Sequence, residues 1–556
     1  MGFVQANRAT SATTPPHATA SPSPSAPLPT ADLPIAPAAD PDAFQLLQQQ
    51  LRDSHHLDFQ EEQASRDILV IPSISLDVRE LAKVEGVLHY EERMLCDLIQ
   101  LRNPHTRLIY VTSQRLPPIV VDYYLQLLPG IPFSHARNRL LLLSVYDNSL
   151  KPLTQKILER PRLVQRIANA LRPGHSVMTC YNATTWEREL SVRLGVPLFA
   201  ADPHLLPWGT KYGSRTLFAQ QGIPHPPGTD QVWTAADLAA AAADLWEQQP
   251  QLQRMVIKLN EGFSGEGNAL LDLRPLADVA PGRVSHRQRA AALANQFRSL
   301  RFQAAGETWD NFGERLTEMG AIAEAFVEGE VKRSPSVQGY ISPGGSVEVL
   351  STHDQVLGGP DQQVYLGCKF PADPAYRLML QTWGKQVGEA LAAVGALERY
   401  GVDFVVVEKP DGSWLAQAIE INLRKGGTTH PFMTLKYLTN GSYSVEDGGF
   451  YAQTGQAKYY VATDNLQQVQ YQGLLPEDLI EMVTLHQLHF DSSTKTGTIF
   501  HLMGCLSEFG KLGLTSIGNS LEEAEEHYQR AIAVLDQETR EATLQSSAFS
   551  EVPIGW

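Results

Sequence analysis

Two acidic side chains and an amide are spaced along this chain so that they converge on one point. Gly401-Val402-Asp403-Phe404-Val405-Val406-Val407 and Trp414-Leu415-Ala416-Gln417-Ala418-Ile419-Glu420-Ile421-Asn422 are rich in β-branched and aromatic residues, as strands are. Between them, Glu408-Lys409-Pro410-Asp411-Gly412-Ser413 carries Asp-Gly at its tip, which predicts a two-residue hairpin turn. In that register Asp403 lies directly opposite Glu420. A longer turn would leave the carboxylates diagonal, still within reach of one cation. Side chains alternate along a strand, so Glu420 and Asn422 share a face. Like charges set opposite one another destabilise a sheet unless a cation lies between them. Two carboxylates and an amide oxygen are hard ligands suited to Mg²⁺. The competing reading of the hairpin alone is a solvated acidic sheet face.

Upstream lie stretches suited to a nucleotide. The strand-like Met255-Val256-Ile257-Lys258-Leu259 carries a lysine into Asn260-Glu261-Gly262-Phe263-Ser264-Gly265-Glu266-Gly267-Asn268. Gly262, Gly265 and Gly267 would let backbone N–H groups approach phosphates, with Ser264 among them and Lys258 as a fixed charge. No Gly-Lys-Ser/Thr follows, and the spacing is not that of a dinucleotide fingerprint. In Ala323-Glu324-Ala325-Phe326-Val327-Glu328-Gly329-Glu330 a strand ends in a hinge. Glu324, Phe326 and Val327 fall where such a hinge meets an adenine edge, and Glu330, or Glu328, where a carboxylate would take ribose hydroxyls. Read singly, the first loop is a flexible turn and the second an exposed acidic one.

At 556 residues the chain needs more than one core. Hydrophobic content of 43% and charged content of 19% are globular values. A formal net charge of −16 argues against non-specific nucleic-acid binding, which needs a basic footprint. Cys96, Cys180, Cys368 and Cys505 are widely spaced, so neither a zinc site nor a disulfide framework is indicated, and reduced thiols in the cytoplasm are expected. No run of about twenty apolar residues suggests a membrane span. The first residues lack a secretory pattern, and Ala6 stands where a myristoylation signal has Ser or Thr.

Composition and periodicity divide the chain. Residues 1–41, rich in Ala, Thr, Ser and Pro, form a disordered tail. Residues 42–205 alternate strands (Ile68–Ile71, Arg107–Thr112, Ser176–Cys180) with helices such as Val87–Leu101, which predicts a parallel α/β domain. Residues 206–440 form a mixed α+β unit. In it a helix runs from Lys211 to the Gly222 stop, Thr234 caps an Ala-rich helix, and residues 274–316 make a helical or irregular insertion. Residues 441–540 are a small C-terminal unit ending in a helix with Ser520 and Glu523 as capping box, and 541–556 are a loose tail.

The order Lys211, Lys258 with its glycine loop, Glu324 to Glu330, Asp403, then Glu420 and Asn422 resembles the ATP-grasp superfamily. Tyr90-Glu91-Glu92-Arg93, Ser351-Thr352-His353-Asp354-Gln355, Glu420-Ile421-Asn422-Leu423-Arg424-Lys425-Gly426-Gly427-Thr428-Thr429-His430-Pro431, His501-Leu502-Met503-Gly504 and Gly510-Lys511-Leu512-Gly513 are similar to the pheganomycin-type peptide ligases within it. The resemblance implies a carboxylate–amine ligase of natural-product biosynthesis, an enzyme using ATP and Mg²⁺ through an acyl phosphate. Its partners would be a small-molecule carboxylate and an amino-acid or peptide amine, with a homodimer common on this fold. Lys211 and Lys258 would hold phosphates, and Lys258, Arg424 and Arg333 would neutralise charge during reaction. Lys332, Arg333, His353, Gln355, Arg424, Gly426, Gly427 and His430 would contact substrate, and His501 and Lys511 would belong to a C-terminal lid. The competing functions are a small-molecule kinase on the same fold and a non-catalytic nucleotide-binding protein.

Overall fold

The structure, a computed structural model, describes residues 41–550 except 55–56, 58–63, 129, 263–264, 266, 305, 360 and 362, together with the backbone but not the side chains of 41 and 541–550. The first 40 residues, expected as a tail, lie outside the described residues. Three sheets position the site. The first holds β1 (Arg66–Ile71), β2 (Thr106–Thr112), β3 (Leu140–Ser144), β4 (Ser176–Cys180) and β5 (Leu198–Phe199), in the order β3-β2-β1-β4-β5 with parallel pairings. All six residues of β1 are buried, as in a strand covered on both faces. The order reverses between β1 and β4, and open α/β sheets bind ligands at the carboxyl ends of strands beside such a point.

The second sheet holds β6 (Arg254–Leu259), β7 (Asn268–Asp272), β8 (Arg301–Phe302) and β9 (Ala321–Ala325) in the order β8-β7-β6-β9, all antiparallel. Residues 274–316 belong to it. Their helix His286–Gln296 and most of the helix Trp309–Met319 join the Ala235–Gln248 helix in covering it, through Leu293, Phe297, Phe312, Leu316, Leu238 and Trp246. Thr234 caps the Ala-rich helix by accepting the Asp237 N–H.

The third sheet holds β10 (Lys332–Ile341), β11 (Val347–Gly358), β12 (Val364–Phe370), β13 (Glu398–Glu408) and β14 (Trp414–Asn422). After a short ribbon, β15 (Ser442–Tyr443) with β16 (Phe450–Tyr451), it continues with β17 (Tyr459–Gln467), β18 (Gly497–His501) and β19 (Lys511–Gly518). Its order is β14-β13-β10-β11-β12-β17-β19-β18. The sheet therefore runs across the boundary drawn at residue 440, and one core cluster joins Tyr460, Leu512 and Leu514 to Val70 and Leu98 of the first unit. Helix Arg377–Ala393 covers one face through Leu380, Val387 and Leu391, against Val337 and Val402. The closing helix, Leu521–Ser550, continues past the point where a loose tail was expected. Ala542, Leu544 and Gln545 are strong helix formers, and no Gly or Pro interrupts the run before Pro553.

Among the described residues no helix is long and apolar enough to cross a membrane.

Candidate active site

The hairpin β13–β14 reaches the expected pairing by an unexpected route. Lys409 donates its N–H to the Ser413 carbonyl at 2.8 Å, so the loop is Pro410-Asp411-Gly412, three residues rather than two, with Gly412 at φ +80°. That offset would misalign the carboxylates. A bulge absorbs it: Phe404 pairs with Ala418, Asp403 with Glu420, and Ile419 is extra. Before the bulge Ala416 and Ala418 face the helix-covered core, with Phe404 and Val406; after it Glu420 and Asn422 face the other way, beside Asp403. The bulge thus aims both carboxylates into a cleft of about 470 Å³ between the second and third sheets.

Hydrogen bonds orient the hairpin carboxylates. Gln355 donates to Asp403 Oδ1 at 2.6 Å, and Asn422 Nδ2 to Asp403 Oδ2 at 2.7 Å, leaving the Asn422 carbonyl oxygen as its acceptor. Burial, and next the Glu420 charge, push the Asp403 carboxyl up to about 6. Glu420 forms an ion pair with Lys211, which is 4% exposed at the start of the Lys211–Gln221 helix. That helix is seated closely. Its Thr210 cap accepts the Gly213 N–H at 3.0 Å, and a Cβ on Gly213 would come within 1.8 Å of the Pro207 carbonyl oxygen.

Lys258 leaves β6 into the same cleft and forms an ion pair with Glu324 on β9, which also takes Arg215 at 3.1 Å. Burial alone would raise the Glu324 carboxyl, but the Lys258 and Arg215 charges outweigh it and hold the group below its usual value. Ala325, Phe326 and Val327 follow along the wall, with Lys332 4.2 Å above the Phe326 ring. Gly265 lines the cleft at φ +80°, and a Cβ there would lie 2.5 Å from the Gln363 carbonyl oxygen, so glycine lets this loop close on the β11–β12 connection. Gly262 and Gly267 stand behind it, each packed on the other. Ser264 lies outside the described residues. Arg424, Gly426 and Gly427 line the cleft after β14, and a Cβ on Gly427 would come within 2.6 Å of the Tyr365 ring.

Three expected contacts are corrected, those of Arg333, His353 and the ribose carboxylate. Along β10, Lys332, Ser334, Ser336 and Gln338 line the cleft, so Arg333 points to the opposite face. There it donates to Asp373 at 2.6 Å and lies over the Trp414 ring. His353 shares a face with Gln355 but is roofed by Phe370 and Tyr460, with Nε2 2.5 Å from the Tyr460 hydroxyl. Burial lowers its pKa to about 3, so it is a neutral core residue. His430, expected at the substrate, is buried against His501, with Nε2 atoms 2.9 Å apart, and lines a smaller cavity that Arg93 also lines. Burial, then His501, hold it well below the usual histidine range. Glu330 is exposed outside the cleft, and the alternative Glu328 is taken by Arg254.

Three sequence-distant contributors, Arg93, Tyr181 and Asp464, went unassigned, and Lys511, expected in a C-terminal lid, lines the cleft with them. Arg93, from the helical segment Val87–Arg102, pairs with Asp464 of β17 at 2.9 Å, and its guanidinium lies over the Tyr90 and Tyr181 rings. Lys511 of β19 sits 5.0 Å from the other partner of that stack, the Tyr90 ring. The Tyr90–Arg93 motif was the available signal for Arg93; nothing local marks Asp464 or Tyr181.

The sequence matches two family descriptions: "IQCH-like, ATP-grasp" over residues 206–290 and 283–445, and "PGM1 C-terminal domain" over 478–531. It is similar to an L-propargylglycine–L-glutamate ligase of Streptantibioticus cattleyicolor, at 30% identity over 468 residues, covering 82% of this chain and 91% of the relative. The chain belongs to the pheganomycin-type ligases of the ATP-grasp superfamily. As a member of these ligases it is an enzyme that forms an amide from a carboxylate and an amine with ATP. It is also 23% identical to IQ motif-containing protein H of Danio rerio, over 88% of this chain but 50% of that longer protein. Among solved structures, a biotin carboxylase of Campylobacter jejuni has a TM-score of 0.50 at 12% identity, covering 84% of this chain and 91% of its own, a likeness of fold.

Proposed function

We propose that this ligase binds Mg²⁺–ATP across the second and third sheets and joins the carboxylate of one amino acid or peptide to the amine of another, in the cytoplasm. The observation that carries the reading is the pairing of Asp403 with Glu420 in the cleft that Lys258, Lys332 and Arg424 also line. Asp403, Glu420 and the Asn422 carbonyl oxygen are a hard oxygen set, and Mg²⁺ commonly takes one or two carboxylates and completes its shell with water and phosphate oxygens. The donors present fit that ion. Bound there, it would neutralise charge on the phosphates of ATP.

The chain's own residues would then act as follows. Lys258 and Lys211 supply positive charge to the phosphates, each already held in place by a carboxylate. The backbone of Ala325 to Val327 faces the adenine. The substrate carboxylate attacks the γ-phosphorus, the bond to the β-phosphate oxygen breaks, and ADP departs from an acyl phosphate. Arg424 stabilises the charge on that acyl phosphate. The amine then attacks the acyl carbon, phosphate leaves, and the amide nitrogen loses a proton. Positioning and charge neutralisation, rather than covalent chemistry by the protein, supply the rate.

The relative named for propargylglycine and glutamate supports small amino acids as the first substrates to test. Pairs of amino acids should be incubated with Mg²⁺–ATP and read by phosphate release and mass spectrometry. The expected result is ADP, phosphate and amide in equal amounts. Transfer of phosphate to a stable product, with none released, would overturn the reading.

A further inference from the structure

Arg93 stands where the nucleotide cleft meets a second chamber of about 140 Å³, and it lines both. Nη1 donates to Asp464, and aromatic rings lie 4.4 Å and 4.6 Å from the guanidinium carbon. Nε and Nη2 are buried and have no hydrogen-bond partner. Buried charged donors seldom stay unpaired. These two nitrogens form the side edge of the guanidinium, the fork that grips a carboxylate with two parallel hydrogen bonds. Lys511 lines the same cleft, is 5% exposed, and among the described residues forms no ion pair of its own, feeling instead the charge of the Asp464 that Arg93 already holds. Tyr90 is thus shared by two cations.

Arg93 is also linked to the reacting end. Lys425, the residue after Arg424, donates its backbone N–H to the Tyr181 carbonyl at 3.1 Å, and the Tyr181 ring is one of the two under Arg93. Lys425 and Tyr181 thus connect the segment of Arg424 to Arg93. Lys258 and the hairpin carboxylates mark the phosphate end, and neither Arg93 nor Lys511 comes from the elements that build it.

We propose that Arg93 and Lys511 form a carboxylate-binding site that holds the free, non-reacting carboxylate of the amino-acid substrate, Arg93 through its Nε–Nη2 edge and Lys511 as a point charge. This rests on the reading of an amino-acid ligase, and it makes the substrate class one with a second carboxylate left free in the product. Asp464 is a positioning residue that fixes the fork.

The test uses the full chain and the amino-acid pair found by phosphate release. Each substrate is compared with its primary amide at the non-reacting carboxyl. In the wild type one of these amides should lose about 10²-fold or more in kcat/KM, because buried donors would be left unmatched. Arg93→Gln and Lys511→Gln should raise KM for that acid and shrink its advantage over the amide to about threefold, with KM for ATP within about twofold. Arg93→Lys, which keeps charge but not the fork, should fall between. Lys511→Gln breaks no ion pair, so it carries the test if Arg93→Gln strands Asp464 and fails to fold. Equal use of acid and amide by the wild type would overturn the site, as would variants that keep the full preference for the acid. A wild type that forms no amide from any amino-acid pair would instead overturn the ligase-substrate reading beneath it.

Discussion

The two ends of the cleft treat their cations differently. At the end proposed for the phosphates Lys211 is paired with Glu420, and Lys258 and Arg215 share Glu324. At the other end Arg93 has one carboxylate for three donor nitrogens, and Lys511 forms no ion pair of its own among the described residues. Paired cations stay in place without ligand and can meet an anion that brings its own Mg²⁺. Cations with spare donors wait for an anion that arrives alone. Under the proposed readings, the difference would separate a nucleotide seat from a carboxylate seat within one cavity.

Breaking the paired end should have the largest effect. Glu420→Gln should lower ATP-dependent turnover by roughly 10³-fold with an unchanged circular-dichroism spectrum, since it removes charge from the metal set while keeping its shape. Turnover within tenfold of wild type would refute the assignment. Glu324→Ala should cost about 3–5 kcal/mol, read by denaturant titration, because it leaves Lys258 and Arg215 buried without a counter-charge. A loss below about 1 kcal/mol would mean that those cations reach water, and the contrast between the two ends would weaken.

Asp403 sharpens the comparison through pH. Its carboxyl is raised to about 6 in the fold, first by burial and next by Glu420, against about 4 in an unfolded chain. The sign follows: the protonated form favours folding, and this contribution is lost as pH rises through 6. Mg²⁺ must displace the proton, so its affinity should climb about tenfold per pH unit below 6 and level off above it. Calorimetric titration with Mg²⁺ and a non-hydrolysable ATP analogue reads this, and a flat profile from pH 5 to 7 would contradict it. The smallest effect belongs outside the cleft. Arg333→Ala should leave kcat/KM within about twofold and cost about 0.5 kcal/mol, as its ion pair with Asp373 is half exposed.

The convergence of Lys258, the glycine loop, the hinge and the hairpin on one cleft was legible in the sequence because each of these parts is local. A lysine before a glycine loop, a strand into a hinge, and an acidic hairpin can each be read from neighbouring residues. Even there the hairpin was right for an incomplete reason, since the three-residue loop and the Ile419 bulge compensate one another. A bulge leaves no signature in composition. Arg333 was misassigned because strand alternation depends on which parity faces the cleft, a matter of packing rather than of residue type. His353 falls in a recognisable motif, yet it is roofed by Phe370 and by Tyr460, which is distant in sequence. The end at Arg93 was only partly legible: the Tyr90–Arg93 and Gly510–Gly513 motifs stood out, but Tyr181 and Asp464 did not, and Lys511 was expected in a lid. It draws on residues 90–93, 181, 464 and 511, which only the continuation of the third sheet brings together.

The most direct test of the central claim is hydroxylamine trapping of the acyl phosphate. Wild-type enzyme, Mg²⁺–ATP and the carboxylate substrate, without amine, should give a hydroxamate with one ADP and one phosphate for each, and Glu420→Gln should give none. A phosphorylated product that survives hydroxylamine, or ADP release that ignores the carboxylate, would contradict the account.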